Sequence, residues 1–222
     1  MNTKLSKILL AGAVVAFGFS MHVMANSVVL LPGTSAALVI ATNSPGSTMV
    51  TTETSNFSSS TINGTVRAFV LKNFADNPWA SAGGLTFVYQ VNSSATSVDT
   101  VTGLGIDGWL GYLTNVAYYP DAAGAINPEF GTRSLDGFTV TFGWQNPPLG
   151  SGLIRPGFSG DEVVIYSNAT NWDYDTGGVR DGSGATMVII GPAGIPDGGT
   201  TALLLGFGLL GISWAVRRSK KS

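Results

Sequence analysis

Across the interior of the chain, apolar positions recur with a period near two rather than 3.6. Gly137 to Trp144 shows it most cleanly: Phe138, Val140 and Phe142 alternate with Thr139, Thr141 and Gly143. Gly64 to Leu71 places Val66, Ala68 and Val70 on one side. Gly84 to Val91, Asp161 to Ser167 and Ala185 to Ile190 are short runs rich in β-branched and aromatic residues. Ala36 to Ala41, Met49 to Glu53, Val98 to Leu104 and Tyr112 to Tyr119 complete the candidate strands. Gly33, Pro45-Gly46 and the polar run Ser55 to Ser60 read as turns or loops, and Gly, Pro, Asn and Asp clusters separate the rest. The pattern predicts an all-β fold, an antiparallel β-sandwich of about seven to nine short strands.

The two ends break this pattern. Met1 to Ala25 has a basic start at Lys4 and Lys7 and an apolar segment from Ile8 to Phe19. Val23-Met24-Ala25 then forms a small-residue site, so cleavage is expected between Ala25 and Asn26. This is the composition of a secretory signal peptide, and it contains His22, the chain's one histidine. At the other end stand three parts in a fixed order. Residues 195–201 are a polar, glycine-containing motif, Ala202 to Val216 is an uncharged apolar run of 15 residues, and residues 217–222 carry Arg217, Arg218, Lys220 and Lys221. A helix of that length spans about 22 Å, short of a hydrocarbon core of roughly 30 Å, with snorkelling cations closing part of the gap. The basic cluster predicts a membrane helix whose last residues stay cytoplasmic while the bulk of the chain lies outside.

Ile195-Pro196-Asp197-Gly198-Gly199, the apolar run and the basic end together resemble the sorting signal of PEP-CTERM-type proteins of Gram-negative bacteria, in its Val-Pro-Asp-Ser-Gly variant. Pro196, Asp197 and Gly199 match that variant, Ile195 stands for its Val, and Gly198 for its Ser. The resemblance implies an exosortase partner, a membrane-embedded cysteine transpeptidase that cuts near the motif and removes the helix. A second, softer resemblance covers about residues 60–194. It rests on Gly83 to Val91 followed by Asn92 to Ser97, on Pro156 to Ser159, on Val163 to Tyr166 with Ser167 to Thr170, and on Arg180 to Gly182. It is to a domain found in PEP-CTERM-type proteins and implies a β-sandwich envelope protein without assigned chemistry. The expected organisation is a signal peptide at 1–25, an exported domain at 26–194 and the sorting signal at 195–222.

Composition sharpens this picture. Only 11% of residues are charged, 30 of the 222 are Gly, and there is no Cys. No disulfide supports the fold, so an ordinary hydrophobic core must. The net charge of −2 conceals an acidic interior: between Asn26 and Asp197 stand 13 acids and five bases (Arg67, Lys72, Arg133, Arg155, Arg180), a net of −8. Such a domain carries no electrostatic footprint for nucleic acid.

Once the signal peptide is removed, neither His nor Cys remains, which excludes Ser-His-Asp, Cys-His and His- or Cys-based metal sites. Carboxylate chemistry stays open, with Glu129, Asp161, Glu162, Asp173, Asp175 and Asp181 as candidates; Asp161-Glu162, at a strand start, is expected to face solvent. Asn171, Asp173 and Asp175 are the one metal-like spacing, but Thr176 stands where a calcium loop needs Gly, and Gly182 where it needs Glu. The expectation there is a polar loop joining the last two strands, with no cofactor. Trp79, Trp109, Trp144 and Trp172, with Tyr112, Tyr118, Tyr119, Tyr166 and Tyr174, are expected mostly in the core, or else as stacking platforms for sugar rings.

The sequence therefore predicts an exported, non-enzymatic structural protein of the cell envelope or extracellular matrix, in an exopolysaccharide or biofilm layer. It passes through the general secretion machinery, is anchored transiently in the inner membrane, and is released to the outer surface. A carbohydrate-binding module for the surface polysaccharide and a secreted carboxylate-dependent hydrolase are the alternatives.

Overall fold

A computed structural model describes residues 27–42, 46–120, 125–145, 152–181 and 184–194. The predicted signal peptide with its Ala25–Asn26 cleavage site, and the predicted tail with its motif, apolar run and basic end, lie outside the described residues. Among the described residues no helix is long and apolar enough to cross a membrane.

The described residues are all-β. The strands are β1 (Val28–Val29), β2 (Ser35–Ala37), β3 (Thr48–Ser58), β4 (Asn63–Lys72), β5 (Thr86–Ser93), β6 (Gly103–Ile106), β7 (Thr114–Tyr119), β8 (Phe130–Arg133), β9 (Val140–Gly143), β10 (Glu162–Ser167), β11 (Trp172–Arg180) and β12 (Gly184–Pro192). Ala80–Ala82 adds one short 3-10 turn. Two six-stranded sheets result, in the orders β1-β7-β10-β5-β4-β3 and β12-β11-β6-β9-β8-β2. Every strand pairing within them is antiparallel.

Alternation decides which face of each strand is buried. In the first sheet, Val66, Ala68 and Val70 of β4, Phe87, Tyr89 and Val91 of β5, Val116 of β7, and Val163 and Ile165 of β10 point to the same interior. From the second sheet, Leu104, Ile106, Val140, Phe142, Val179, Ala185, Met187 and Ile189 join the same cluster. Each fully buried Phe, Leu, Ile or Val contributes roughly 1.5–3 kcal/mol, and without disulfides this layer supplies the main driving force. Phe87 meets Trp109 edge to face, ring centroids 5.3 Å apart. The Tyr89 hydroxyl crosses between sheets, donating to the Ile190 carbonyl at 2.8 Å.

The first sheet is also covered on its outer side. Val88, Ala117, Val164 and Tyr166 are buried there against Ala41 and Phe74. Two buried polar residues hold the covering segments down. The Thr42 amide and hydroxyl both donate to Asp76 Oδ2, at 2.9 and 2.6 Å. Asn77 Nδ2 donates to the Leu85 and Ser167 carbonyls at 3.0 and 3.3 Å. This explains why β5 and β10 read as nearly continuous apolar runs rather than alternating ones: both faces are buried.

One end of the sandwich is closed by Arg133, a residue only 6% exposed. Its Nε donates to the Gly137 carbonyl at 3.0 Å. Nη1 donates to the Leu30 carbonyl at 3.3 Å and to Thr114 Oγ1 at 3.1 Å. Nη2 donates to the Trp109 and Tyr112 carbonyls at 2.7 and 2.9 Å. The acceptors belong to the ends of β1 and β7 in the first sheet, the β6–β7 loop and the β8–β9 turn. Burying a guanidinium costs several kcal/mol. Five charge-assisted bonds at about 1.5–3 kcal/mol each offset that cost. Burial pulls the Arg133 pKa down from its ordinary value, and the guanidinium stays protonated at neutral pH.

Several sequence expectations need correction. There are twelve strands among the described residues, not seven to nine, because β1, β8 and β11 carry no alternation signal. Residues 172–180 are not a loop: β11 runs its whole length against β12 and also pairs with β6. Its glycines give the reason. A Cβ at Gly177 would come within 2.9 Å of Ile189 Cγ2 and 3.1 Å of Met187 Cε, so the strand is thinned to admit its neighbour's side chains. The polar run from Ser55 is strand as far as Ser58, and only the connection around Ser59 is a turn, closed by Ser59 N–H to the Ile62 carbonyl at 2.8 Å. Val98, expected in a strand, is 81% exposed in the connection before β6.

Arg133→Met is expected to lower stability by about 2–5 kcal/mol in denaturant unfolding of the protein, because the Gly137 and Tyr112 carbonyls lose their donor and the Leu30 and Trp109 carbonyls lose one of two. Arg133→Lys offers fewer donors and is expected to recover only part of the loss. A loss below about 1 kcal/mol for Met would contradict this view of the cluster.

Candidate functional site

The expected sorting motif Ile195–Gly199 and the expected basic stop Arg217, Arg218, Lys220 and Lys221 lie outside the described residues. The geometry does define where the chain leaves the domain. The Ala193 amide donates to the Asn171 carbonyl at 3.1 Å, and the Ala193 carbonyl accepts the Tyr112 hydroxyl. Tyr112 is itself an Arg133 acceptor. The exit towards the tail is therefore fixed at the end of the sandwich that Arg133 closes. At the other terminus Ser27 Oγ accepts Asn115 Nδ2 at 3.2 Å, two residues after the expected cleavage point.

The metal-like spacing at Asn171, Asp173 and Asp175 falls at the start of β11 and on the residue before it. Among the described residues no group of three His, Cys, Asp or Glu side chains is placed to hold a metal ion. Asp173 and Asp175 are two residues apart on β11, paired with Gly191 and Ile189 respectively. The Asp175 carboxylate rests over Gly108, which has φ +89°, where a Cβ would collide with it. Burial first, then the negative charges of Asp107 and Asp173, raise its pKa above 3.8, against the lowering effect of the Thr176 amide.

The other carboxylate candidates scatter over the molecule. Asp161 is 2% exposed, a correction to the solvent-facing position expected from its place before β10. It lies beside Tyr118, whose hydroxyl pKa is raised by burial and then by the charges of Asp161 and Glu129. Glu162, the next residue, borders a groove on the outer face of the first sheet. Asp181 instead accepts the Thr61 hydroxyl, tying the β11–β12 turn to the β3–β4 turn. The structure thus brings Glu129 and Asp161 to one tyrosine, and Asp173 and Asp175 to Asp107, leaving Glu162 and Asp181 elsewhere.

The groove holds about 250 Å³ and is lined by Phe69, Leu71, Phe74, Val88, Tyr119 and Val164, with Ser47 and Glu162 at its polar margin. The Arg67 guanidinium lies 4.9 Å from the Phe69 ring centre. Sequence reasoning missed this groove, since its walls come from strands far apart in the chain. The aromatic residues divide as well. Trp109, Trp144 and Tyr166 are core. Trp172 and Tyr174 form an edge-to-face pair with ring centres 6.0 Å apart, and Tyr174 is 55% exposed. Glu53, accepting the Tyr174 hydroxyl and negatively charged beside it, raises that hydroxyl's pKa.

No protein-family model, curated protein or solved structure matches the chain.

The raised Asp175 pKa has a definite sign. The folded state holds this proton more tightly than the unfolded state, so the acid's ionisation weakens folding as pH rises from 3.8 through the raised value. Asp175→Asn is expected to raise the Tm at pH 7, and that gain is expected to shrink towards zero as pH falls below 3.8. A gain that persists unchanged in acid would show that charge is not the cause.

Proposed function

We propose that this chain is an exported protein of the cell envelope or extracellular matrix of a Gram-negative bacterium, structural rather than enzymatic, and a substrate of an exosortase-type transpeptidase. Residues 1–25 direct export through the general secretion machinery, and residues 26–194 form the mature domain. The tail anchors the chain in the inner membrane until cleavage near Ile195–Gly199 releases the domain to the surface polysaccharide layer. The observation that carries this reading is the ordered tail: the Pro196-Asp197-x-Gly199 motif, the 15-residue uncharged run and the four terminal cations. The acidity of residues 26–197, a net of −8, suits a domain that stays dissolved outside the cell. Its buried polar side chains support a structural role, since Arg133, Asp76 and Asn77 each spend their hydrogen bonds on fixing backbone.

Mass spectrometry of the protein from cells carrying the matching transpeptidase is expected to show a chain lacking 202–222. The double variant Pro196→Ala, Asp197→Ala is expected to be exported but to keep those residues in the membrane fraction. Pro196 restricts Ile195 to extended geometry, and Asp197 is the motif's one charge, so the pair removes both shape and charge from the presented peptide. Recovery of wild-type protein with an intact C-terminus would mean that the apolar run is a permanent anchor.

A second reading is favoured by one observation, the edge-to-face pair of half-buried Trp172 and exposed Tyr174. Two edge-to-face rings with a carboxylate at their margin suit the apolar face and hydroxyls of a sugar. On this reading the domain binds the surface polysaccharide directly. Affinity for purified polysaccharide is then expected to fall at least about tenfold, or 1.4 kcal/mol, on Trp172→Ala with Tyr174→Ala. Unchanged binding would remove the pair from consideration.

A further inference from the structure

Large apolar side chains gather at the end of the sandwich from which the tail departs. Leu31 is 53% exposed, Leu110 59%, Leu113 52%, Leu135 88% and Phe138 39%. They sit on three connections, and Arg133 binds the backbone of all three: Leu30, Trp109 and Tyr112, and Gly137. Further bonds lock these loops to one another. The Gly33 amide donates to the Ser134 carbonyl at 3.0 Å, and the Trp109 amide to the Phe138 carbonyl at 2.9 Å. A Cβ at Gly33 would lie 3.1 Å from Leu135 Cδ1, placing that side chain against the neighbouring turn. The five residues therefore form a rigid collar rather than independent loop tips. Exposed apolar groups concentrated in this way mark an interaction surface.

Chain length selects what covers the collar. Ala193 is bonded to Tyr112 within it. Only residues 195–201 separate Gly194 from the apolar run that starts at Ala202. Seven residues reach at most about 25 Å even when fully extended. The opposite end, where Val98 donates to Thr61 and Asp181 joins the same turn, is the whole of β12 away. Nine strand residues span about 30 Å, more than the leash allows. If the run inserts in a bilayer, the collar end must face that bilayer.

We propose that this collar is a membrane-seating surface: Leu31, Leu110, Leu113, Leu135 and Phe138 enter the headgroup–acyl boundary of a zwitterionic bilayer while the tail is anchored. The inference rests on the proposed anchoring by residues 202–216. The charge at the collar fixes the lipid chemistry. Asp136, between Leu135 and Gly137, keeps a lowered pKa through bonds from the Ser134 hydroxyl and the Phe138 amide, so it is ionised at neutral pH. A carboxylate among the inserted leucines suits the ammonium of phosphatidylethanolamine and disfavours anionic headgroups.

The chain has no Cys, so single labels are unambiguous. Leu110→Cys, Leu135→Cys and, at the opposite end, Val98→Cys replace exposed side chains. Each full-length variant is reconstituted uncleaved into phosphatidylethanolamine–phosphatidylcholine vesicles and carries a nitroxide. The expected result is that labels 110 and 135 collide more with lipid-dissolved oxygen than with an aqueous nickel chelate, while label 98 shows the reverse. Labels 110 and 135 as aqueous as 98 would overturn the proposal. So would shielding of those two labels that appears without vesicles and grows with protein concentration, which would assign the collar to a second copy of the chain. Alkaline extraction of the same vesicles reads the apolar run separately. Protein retained after extraction with aqueous collar labels sinks the seating surface and leaves the anchoring standing. Protein lost on extraction sinks the anchoring, and the proposal with it.

Discussion

A single buried cation holds one end of this protein together. Arg133 has no carboxylate among its bonded partners; its N–H groups go to four carbonyls and one hydroxyl. The acceptors lie at the ends of β1 and β7 and on the β6–β7 and β8–β9 connections, so the relative positions of these segments depend on one guanidinium. Its planar fork suits this task, because five donors in fixed directions demand five acceptors in fixed places. Thr114 shows how tight the arrangement is: its hydroxyl accepts from Arg133 and donates to the Leu30 carbonyl at 3.0 Å.

The rest of the fold arranges itself around that closure. The opposite end is tied by side chains from several turns, through Thr61 and Asp181 and through the Ser97 hydroxyl on the Asn63 carbonyl at 2.7 Å. Between the two ends the sheets share a continuous core, and the first sheet has a second apolar layer outside it. That outer layer is what leaves a groove, because the segments covering β5 and β10 pack over Val88 and Val164 but leave space beside Phe69 and Leu71. The edges are managed differently on the two sides. β1 and β2 are only two and three residues long, which limits pairing with other chains. β3, the long edge of the first sheet, carries mainly Thr, Ser, Asn and Glu, with a register shift between Met49 and Thr51.

Where burial follows alternation, the sequence was a good guide. Val66, Ala68 and Val70 face the core as their spacing requires, and so do Val140 and Phe142. Phe138 breaks that series because Gly137, at φ +78°, turns the chain before β9 begins. β11 was illegible for a different reason. Asp173, Asp175, Gly177 and Gly178 are poor strand formers, and only pairing with β12 and β6 makes them a strand. Asp161 looked like a solvent residue because its sequence neighbours are polar; its burial comes from packing across the chain, including its amide on the Ile126 carbonyl at 3.0 Å. In the sequence Arg133 is one of five bases between Asn26 and Asp197. Nothing within Arg133-Ser134-Leu135-Asp136-Gly137 reports the distant carbonyls that receive it. The collar was equally hidden, since its leucines are isolated in sequence and adjacent only once that guanidinium has gathered their loops.

One side chain couples three connections into a unit. Hydrogen–deuterium exchange tests it most directly, comparing wild type with Arg133→Met under conditions where both remain folded. The amides of Leu30, Gly33, Trp109, Tyr112 and Gly137 are expected to lose protection together, while those of β11 and β12 keep theirs. Loss confined to the 134–137 turn, or unchanged protection throughout, would contradict it.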